Sequence, residues 1–188
     1  ENSVAFPLES LNKNIQMTTK VFITDDHNMI VEGIRSLLQQ EKGIEWMGDA
    51  MNGASCLAFL QQQQRDVILM DINLPGIDGV ECVRQLKATV PTLQILMLTV
   101  YEDSDSLFRS LKAGASGYLL KRTAPARLLE GIRDVHDGGA PMTPQLARRV
   151  VQYFSKPGDA SVSNLTPGER EFLNELAKGY AYKEIADR

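Results

Sequence analysis

The sequence predicts an α/β protein built on a doubly wound, mostly parallel sheet, and two observations carry that expectation. From Lys20 onward, short apolar runs alternate with longer amphipathic stretches, the pattern of successive βα units. The apolar runs are also continuous rather than alternating, as strands covered on both faces require. Strands are expected at residues 20–24, 44–49, 66–70, 94–99 and 117–120. Helical spacing links Ile30, Ile34, Leu37 and Leu38 after the first strand, Leu57 and Leu60 after the second, and Val80, Val83 and Leu86 after the third. Leu107 and Leu111 follow the fourth strand, and Leu128, Leu129 and Ile132 the fifth. Five βα units result, and the glutamines at 61–64 read as the solvated end of the second helix.

Beyond residue 139 the pattern changes. Residues 143–154 read as one further helix with Pro144 in its first turn. Residues 155–163 are small, polar and rich in Pro and Gly, the composition of a linker. A last helical segment opens at Thr166, which can cap, and Pro167, which suits the first helical position. It runs through Leu173, Leu176 and Ala177 to Gly179. At the other end, residues 1–16 read as an appendage or upstream extension, because Met17 followed directly by a strand makes a natural start. The chain thus divides into 1–16, a main domain at 17–139, a helix and linker at 140–163, and a final segment at 164–188.

Composition narrows the function classes. The 188 residues are 43% apolar, with 20 Lys plus Arg against 24 Asp plus Glu, a net charge of -4. That balance argues against nucleic-acid binding by the whole chain, so any DNA contact must be local. No apolar run approaches the roughly 20 residues needed to cross a bilayer, which argues against a membrane partner. Cys56 and Cys82 lie in helical segments of a chain too large to need stapling, which suits the reducing cytoplasm. His27 and His136 have no sequence partners at metal-ligand spacing and are assigned no role.

The polar residues are more informative. Asp25 and Asp26 end the first strand, Asp71 the third, Thr99 the fourth and Lys121 the fifth. Ligands of open parallel sheets sit beyond the carboxyl ends of the strands, where strand order reverses. With the order 2-1-3-4-5, three carboxylates converge there and repel one another unless a cation intervenes. An oxygen-rich site with room for water and phosphate suits Mg²⁺. Asp71 then becomes a nucleophile toward phosphorus, Lys121 a cation for the transferring oxygens, and Thr99 a hydroxyl donor. Each residue alone has a plainer reading. Asp26 could cap the next helix, Asp71 start a turn, Thr99 merely fill a strand and Lys121 be a solvated lysine. Those readings do not place all of them at one edge of one sheet.

These residues carry a resemblance. Residues 22–27, PheIleThrAspAspHis, are similar to the acidic pair of bacterial two-component response regulator receivers. Residues 67–79 resemble the phosphoacceptor segment, 96–101 the switch threonine, and 113–121 the aromatic and lysine. The resemblance covers roughly residues 20–139 and implies a flavodoxin-like (βα)5 fold. It implies that Asp71 accepts a phosphoryl group from a sensor histidine kinase, with Asp25, Asp26 and the Asn73 carbonyl around Mg²⁺. Lys121 would contact a phosphoryl oxygen, while Thr99 and Tyr118 would switch together, the ring turning inward as the hydroxyl moves. Tyr118 could instead be a half-buried aromatic on an outer strand. Asn73 and Tyr101 are expected to tune dephosphorylation, Tyr101 by hindering water. One departure stands out: Arg122 follows Lys121 where many receivers have proline, so the loop lacks that constraint.

Residues 164–188 resemble the opening of a LuxR-type helix-turn-helix, the output domain of the NarL/FixJ subfamily, through Thr166, Pro167, Glu169, Arg170, Glu171, Leu173, Gly179, Lys183, Glu184, Ile185 and Ala186. The helix that enters the major groove is absent, so the segment reads as truncated and not itself DNA-binding. The resemblance therefore implies a transcription regulator, not an enzyme, that forms a homodimer on phosphorylation and binds DNA when complete. The alternative is a receiver acting through protein contacts alone. A haloacid-dehalogenase-type phosphatase expects a second acid where Asn73 stands, and an FMN site would set phosphate against the acidic strand ends.

Overall fold

The computed structural model describes residues 18–60 and 65–154. The expectations for residues 1–16, the glutamine run, the linker and the segment 164–188 lie outside them. Strands β1 (Thr19–Thr24), β2 (Ile44–Ala50), β3 (Val67–Met70), β4 (Gln94–Thr99) and β5 (Gly117–Leu120) form one sheet in the order β2-β1-β3-β4-β5. Every pairing is parallel. The helices α1 (Asn28–Gln39), α2 (Gly53–Leu60), α3 (Gly79–Thr89), α4 (Ser104–Ala113), α5 (Pro125–His136) and α6 (Pro144–Phe154) follow the expected alternation.

The pleat of the strands explains the two layers of helices. Val21, Ile23, Val67, Leu69, Leu96, Leu98 and Leu119 point to one face, where α1 and α5 cover them with Val31, Leu38, Leu128 and Ile132. Phe22, Ile68, Met70, Ile95, Met97, Tyr118 and Leu120 point to the other, against α2, α3 and α4. Each fully buried aliphatic chain contributes about 1.5–3 kcal/mol, so these two clusters dominate the stability. The helix starts are built locally. Asp78 and Asp103 accept from the backbone N–H groups of Glu81 and Ser106 to cap α3 and α4, Pro125 opens α5, and Thr143 accepts from Leu146 N–H at the start of α6.

One strand differs from the expected burial on both faces. β2 lies at the sheet edge, and its central residues are only partly covered. Its pairing with β1 skips Met47, so that Phe22 pairs with Gly48. Gly48 adopts φ +138°, which favours glycine, and the Phe22 and Phe59 rings pack where a side chain would project. At the opposite edge, β5 is fully buried because the chain after α5 returns alongside it. The Tyr118 N–H donates to the Pro141 carbonyl, and Tyr118 bridges in parallel to Met142. From there α6 packs on α4, stacking Tyr153 on Phe108 with ring centroids 4.0 Å apart, while the Lys112 ammonium donates to the Tyr153 hydroxyl. Leu146, Ala147 and Val150 are buried beneath it.

Gly79 fixes the start of α3 against the end of β3. A Cβ there would lie 1.9 Å from the Asp71 carbonyl oxygen, a backbone atom that cannot rotate away. Gly79→Ala is therefore expected to cost at least the ~1–3 kcal/mol typical of overpacking, seen as a lower urea midpoint. An unchanged midpoint would contradict the tight approach of α3 to the site.

Candidate functional site

Strand geometry alone delivers the polar residues to one place. Asp25 follows β1 and its N–H donates to the Ala50 carbonyl; Asp71 follows β3 and its N–H donates to the Thr24 carbonyl at 2.9 Å. Because β1 and β3 are neighbours, the two aspartates sit side by side where the strand order reverses. Lys121 directly follows β5, tied by its N–H to the Thr99 carbonyl. Its side chain reaches back across β4 and is buried, with Nζ 2.9 Å from Asp71 Oδ2 and 2.6 Å from Asp25 Oδ2. The other Asp71 oxygen accepts from the Ile72 N–H at 2.8 Å, which fixes the carboxylate plane.

Asp26 and His27 complete the cluster. Asp26 does not cap α1; His27 occupies that position, and its side chain makes no capping bond. The His27 N–H donates to Asp25 Oδ1, and the ring Nδ1 lies 3.2 Å from Asp25 Oδ1 and 2.7 Å from Asp26 Oδ1. One donor atom each from Asp25, Asp26, His27 and Asp71 all lie within 4.8 Å of one another. This corrects the expectation that His27 has no ligand partners. The spacing signal was hidden because the partners are adjacent in sequence or 44 residues away across the sheet.

Electrostatics follow from burial. Removal from water raises the Asp71 pKa, and the ammonium of Lys121 pulls it back only in part, with Asp25 adding repulsion. Burial lowers that of Lys121, but its pairing with Asp25 and Asp71 outweighs this and raises it. Among the described residues, Asp25 Oδ2 is buried without an aligned hydrogen bond, although the Lys121 ammonium is close. Three carboxylates against one ammonium leave the cluster short of positive charge, and its hard oxygen donors fit a small divalent cation such as Mg²⁺.

A profile of the response regulator receiver domain matches residues 21–133. The chain belongs to that family. Two relatives extend the likeness. The transcriptional regulatory protein LnrK of Bacillus subtilis (strain 168) is 33% identical over 181 residues, covering 90% of this chain and 81% of LnrK. The response regulator VraR of Staphylococcus aureus (strain NCTC 8325 / PS 47) is 34% identical over 170 residues, with the same coverage. Among solved structures, a LuxR-family two-component response regulator from Aurantimonas sp. SI85-9A1 superposes with a TM-score of 0.69 at 28% identity. The match covers 74% of this chain and 99% of that one. The receiver is thus that of a two-component response regulator of the LuxR and NarL type, with one relative, LnrK, named as a transcriptional regulatory protein. Receivers of this kind are signalling proteins rather than conventional enzymes.

Thr99, Tyr118 and Asn73 meet at Tyr101. Its N–H donates to Thr99 Oγ1 at 3.3 Å, its carbonyl accepts from the Tyr118 hydroxyl at 3.0 Å, and its own hydroxyl lies 2.5 Å from Asn73 Nδ2. Tyr118 is 0% exposed with its ring inward, so it is not a half-buried aromatic. Burial first, then the charges of Asp103 and Asp71, push its phenol pKa upward and keep it a donor. In the loop where many receivers carry proline, Arg122 forms an ion pair with Glu102, and all peptide bonds of the described residues are trans. That pair is exposed and contributes little; Lys121 itself is held by the two carboxylates. Neither Glu102 nor the joining role of Tyr101 was legible in sequence, since both depend on loops folding toward each other.

The raised pKa of Asp71 has a consequence for stability. A carboxyl that binds its proton more tightly folded than unfolded stabilises the fold when protonated, and that contribution fades as pH rises through the folded value. Asp71→Asn, which cannot ionise, is therefore expected to unfold at a higher temperature than the wild type at pH 7. The gain should vanish as the pH falls below the ordinary carboxyl value of 3.8. Calorimetric melting across that range is the check, and a variant less stable at pH 7 would contradict the assignment.

Proposed function

We propose that the receiver is a phosphorylation-gated switch in which Asp71 takes a phosphoryl group from a phosphohistidine of a sensor histidine kinase. The observation that carries this reading is the Asp71 carboxylate held 2.9 Å from the Lys121 ammonium, beside Asp25 and Asp26. In the transfer an Asp71 oxygen forms a bond to phosphorus while the phosphorus–nitrogen bond of the phosphohistidine breaks, and the imidazole leaves on the kinase. Asp25, Asp26, Asp71 and the Asn73 carbonyl are the groups that would hold Mg²⁺, which, when bound, neutralises charge on the phosphoryl oxygens. Lys121 is already placed to exchange its contact with Asp71 for one with a phosphoryl oxygen.

The new group biases the fold only through contacts that differ between states. Thr99 supplies such a contact. When its hydroxyl turns to donate to the phosphoryl group, its bond with the Tyr101 N–H is the one at stake. Tyr101 also carries the Tyr118 hydroxyl, so phosphorylation retains or shifts an inward Tyr118 rather than drawing the ring in. Tyr101, 38% exposed and hydrogen-bonded to Asn73 two residues beyond Asp71, slows attack of water on the acyl phosphate.

The output reading is a DNA-binding domain that regulates transcription, with phosphorylation favouring a homodimer. The name of LnrK, a transcriptional regulatory protein, supports it, as does the resemblance of residues 164–188 to part of a LuxR-type helix-turn-helix.

Two experiments test these assignments. Treatment with acetyl phosphate and Mg²⁺, followed by intact-mass and peptide mass spectrometry, is expected to add one phosphoryl group at Asp71, with none on Asp71→Asn. Full labelling of that variant rejects the phosphoacceptor. Tyr101→Ala is expected to shorten the lifetime of the acyl phosphate severalfold, measured by decay of the phosphorylated mass. An unchanged lifetime removes Tyr101 from the site.

A further inference from the structure

We infer that His27 is a metal ligand, and that its nitrogen makes this site select first-row transition cations over Mg²⁺. The inference rests on the pocket being a cation site, as proposed above, and adds a donor and a selectivity to it. The chain contains two histidines. His136 pairs with Asp137 at the far end of α5, away from the carboxyl ends of the strands. His27 alone stands over the acidic cluster.

Its placement matches coordination geometry. Donors about 2.0–2.1 Å from an octahedral ion lie roughly 3 Å from their cis neighbours. His27 Nδ1 is 2.7 Å from Asp26 Oδ1 and 3.2 Å from Asp25 Oδ1, distances that bracket this edge length. The four donors all lie within 4.8 Å of one another, slightly wider than the roughly 4.2 Å across such an octahedron, so they close in on the ion by a few tenths of an ångström. The ring is oriented by its own backbone, because the His27 N–H donates to Asp25 Oδ1 and ties the first turn of α1 to the same carboxylate. Asp25 is 1% exposed and its Oδ2 is engaged by the Lys121 ammonium at 2.6 Å, so Oδ1, beside His27 Nδ1, is the oxygen that faces the proposed ion.

The chemistry of the donors then sets the ion. Carboxylate oxygens alone suit Mg²⁺, whereas an imidazole nitrogen favours the later divalent ions, with affinity rising from Mn²⁺ toward Ni²⁺ and Cu²⁺. His27 is 65% exposed on its side chain, so the ring reaches the ion from the solvent side and leaves the buried Lys121 face open to a phosphoryl oxygen.

The test uses the full chain and two probes. Mn²⁺-loaded protein, examined by pulsed electron paramagnetic resonance, is expected to show ¹⁴N modulation that persists in His136→Gln and disappears in His27→Gln. By titration calorimetry, His27→Gln is expected to lower the ratio of Ni²⁺ to Mg²⁺ affinity about tenfold or more, on the scale of a lost coordination contact, with Mg²⁺ affinity nearly unchanged. Mn²⁺ binding without nitrogen modulation, or modulation lost in His136→Gln instead, overturns the role of His27 and leaves the Mg²⁺ reading intact. A wild-type chain that binds neither Mg²⁺ nor Mn²⁺ overturns both.

Discussion

The ammonium of Lys121 between the carboxylates of Asp25 and Asp71 is the interaction on which the rest of the site depends. Parallel strands β1 and β3 force two acids side by side in a buried position, an arrangement that repulsion alone would oppose. Charges taken out of water are costly to leave unpaired, by about 3–5 kcal/mol when one partner of a buried pair is removed. The lysine answers that cost from the far side of the sheet, and doing so requires β5 to lie beyond β4 with its carboxyl end at the same edge. The strand order and the charge pattern are therefore one requirement seen twice. The cluster still carries an excess of negative charge, which is consistent with binding a divalent cation.

Much of this was legible in the sequence, for a physical reason. A buried parallel strand must be apolar along its length, so β1, β3, β4 and β5 are visible as runs, and a polar residue that ends such a run has to stand at the sheet's edge. Asp25, Asp71, Thr99 and Lys121 were found by that rule. The edge strand β2 obeys it less well, because one flank meets solvent and Met47 is skipped in the pairing. Contacts between loops follow no periodicity at all. His27 above Asp25 and Asp26, Arg122 against Glu102, and the three bonds of Tyr101 arise from how turns lean on one another after the strands have been laid down.

Tyr101 joins three separate segments of the chain. Its backbone N–H, its carbonyl and its side chain each engage a different segment of the chain: the end of β4, the middle of β5 and the loop after β3. A residue held at three points transmits displacement, since no one of those bonds can lengthen without the loop shifting the other two. The buried ring of Tyr118 gives this arrangement a rigid end, because a fully enclosed aromatic has few alternative rotamers in a close-packed core. The neighbouring α4 begins just three residues after Tyr101 and carries Phe108, so the Tyr101 contacts and the docking of α6 share one short stretch of chain.

The return of residues 140–142 along β5 changes what the sheet can do to its surroundings. An open sheet ordinarily exposes two unpaired borders, each able to template further strands from another molecule. Here the Pro141 carbonyl and the Met142 bridge occupy one border, and at the other the displaced register around Gly48 interrupts the row of backbone donors and acceptors. Growth of the sheet by strand addition is blunted from both sides.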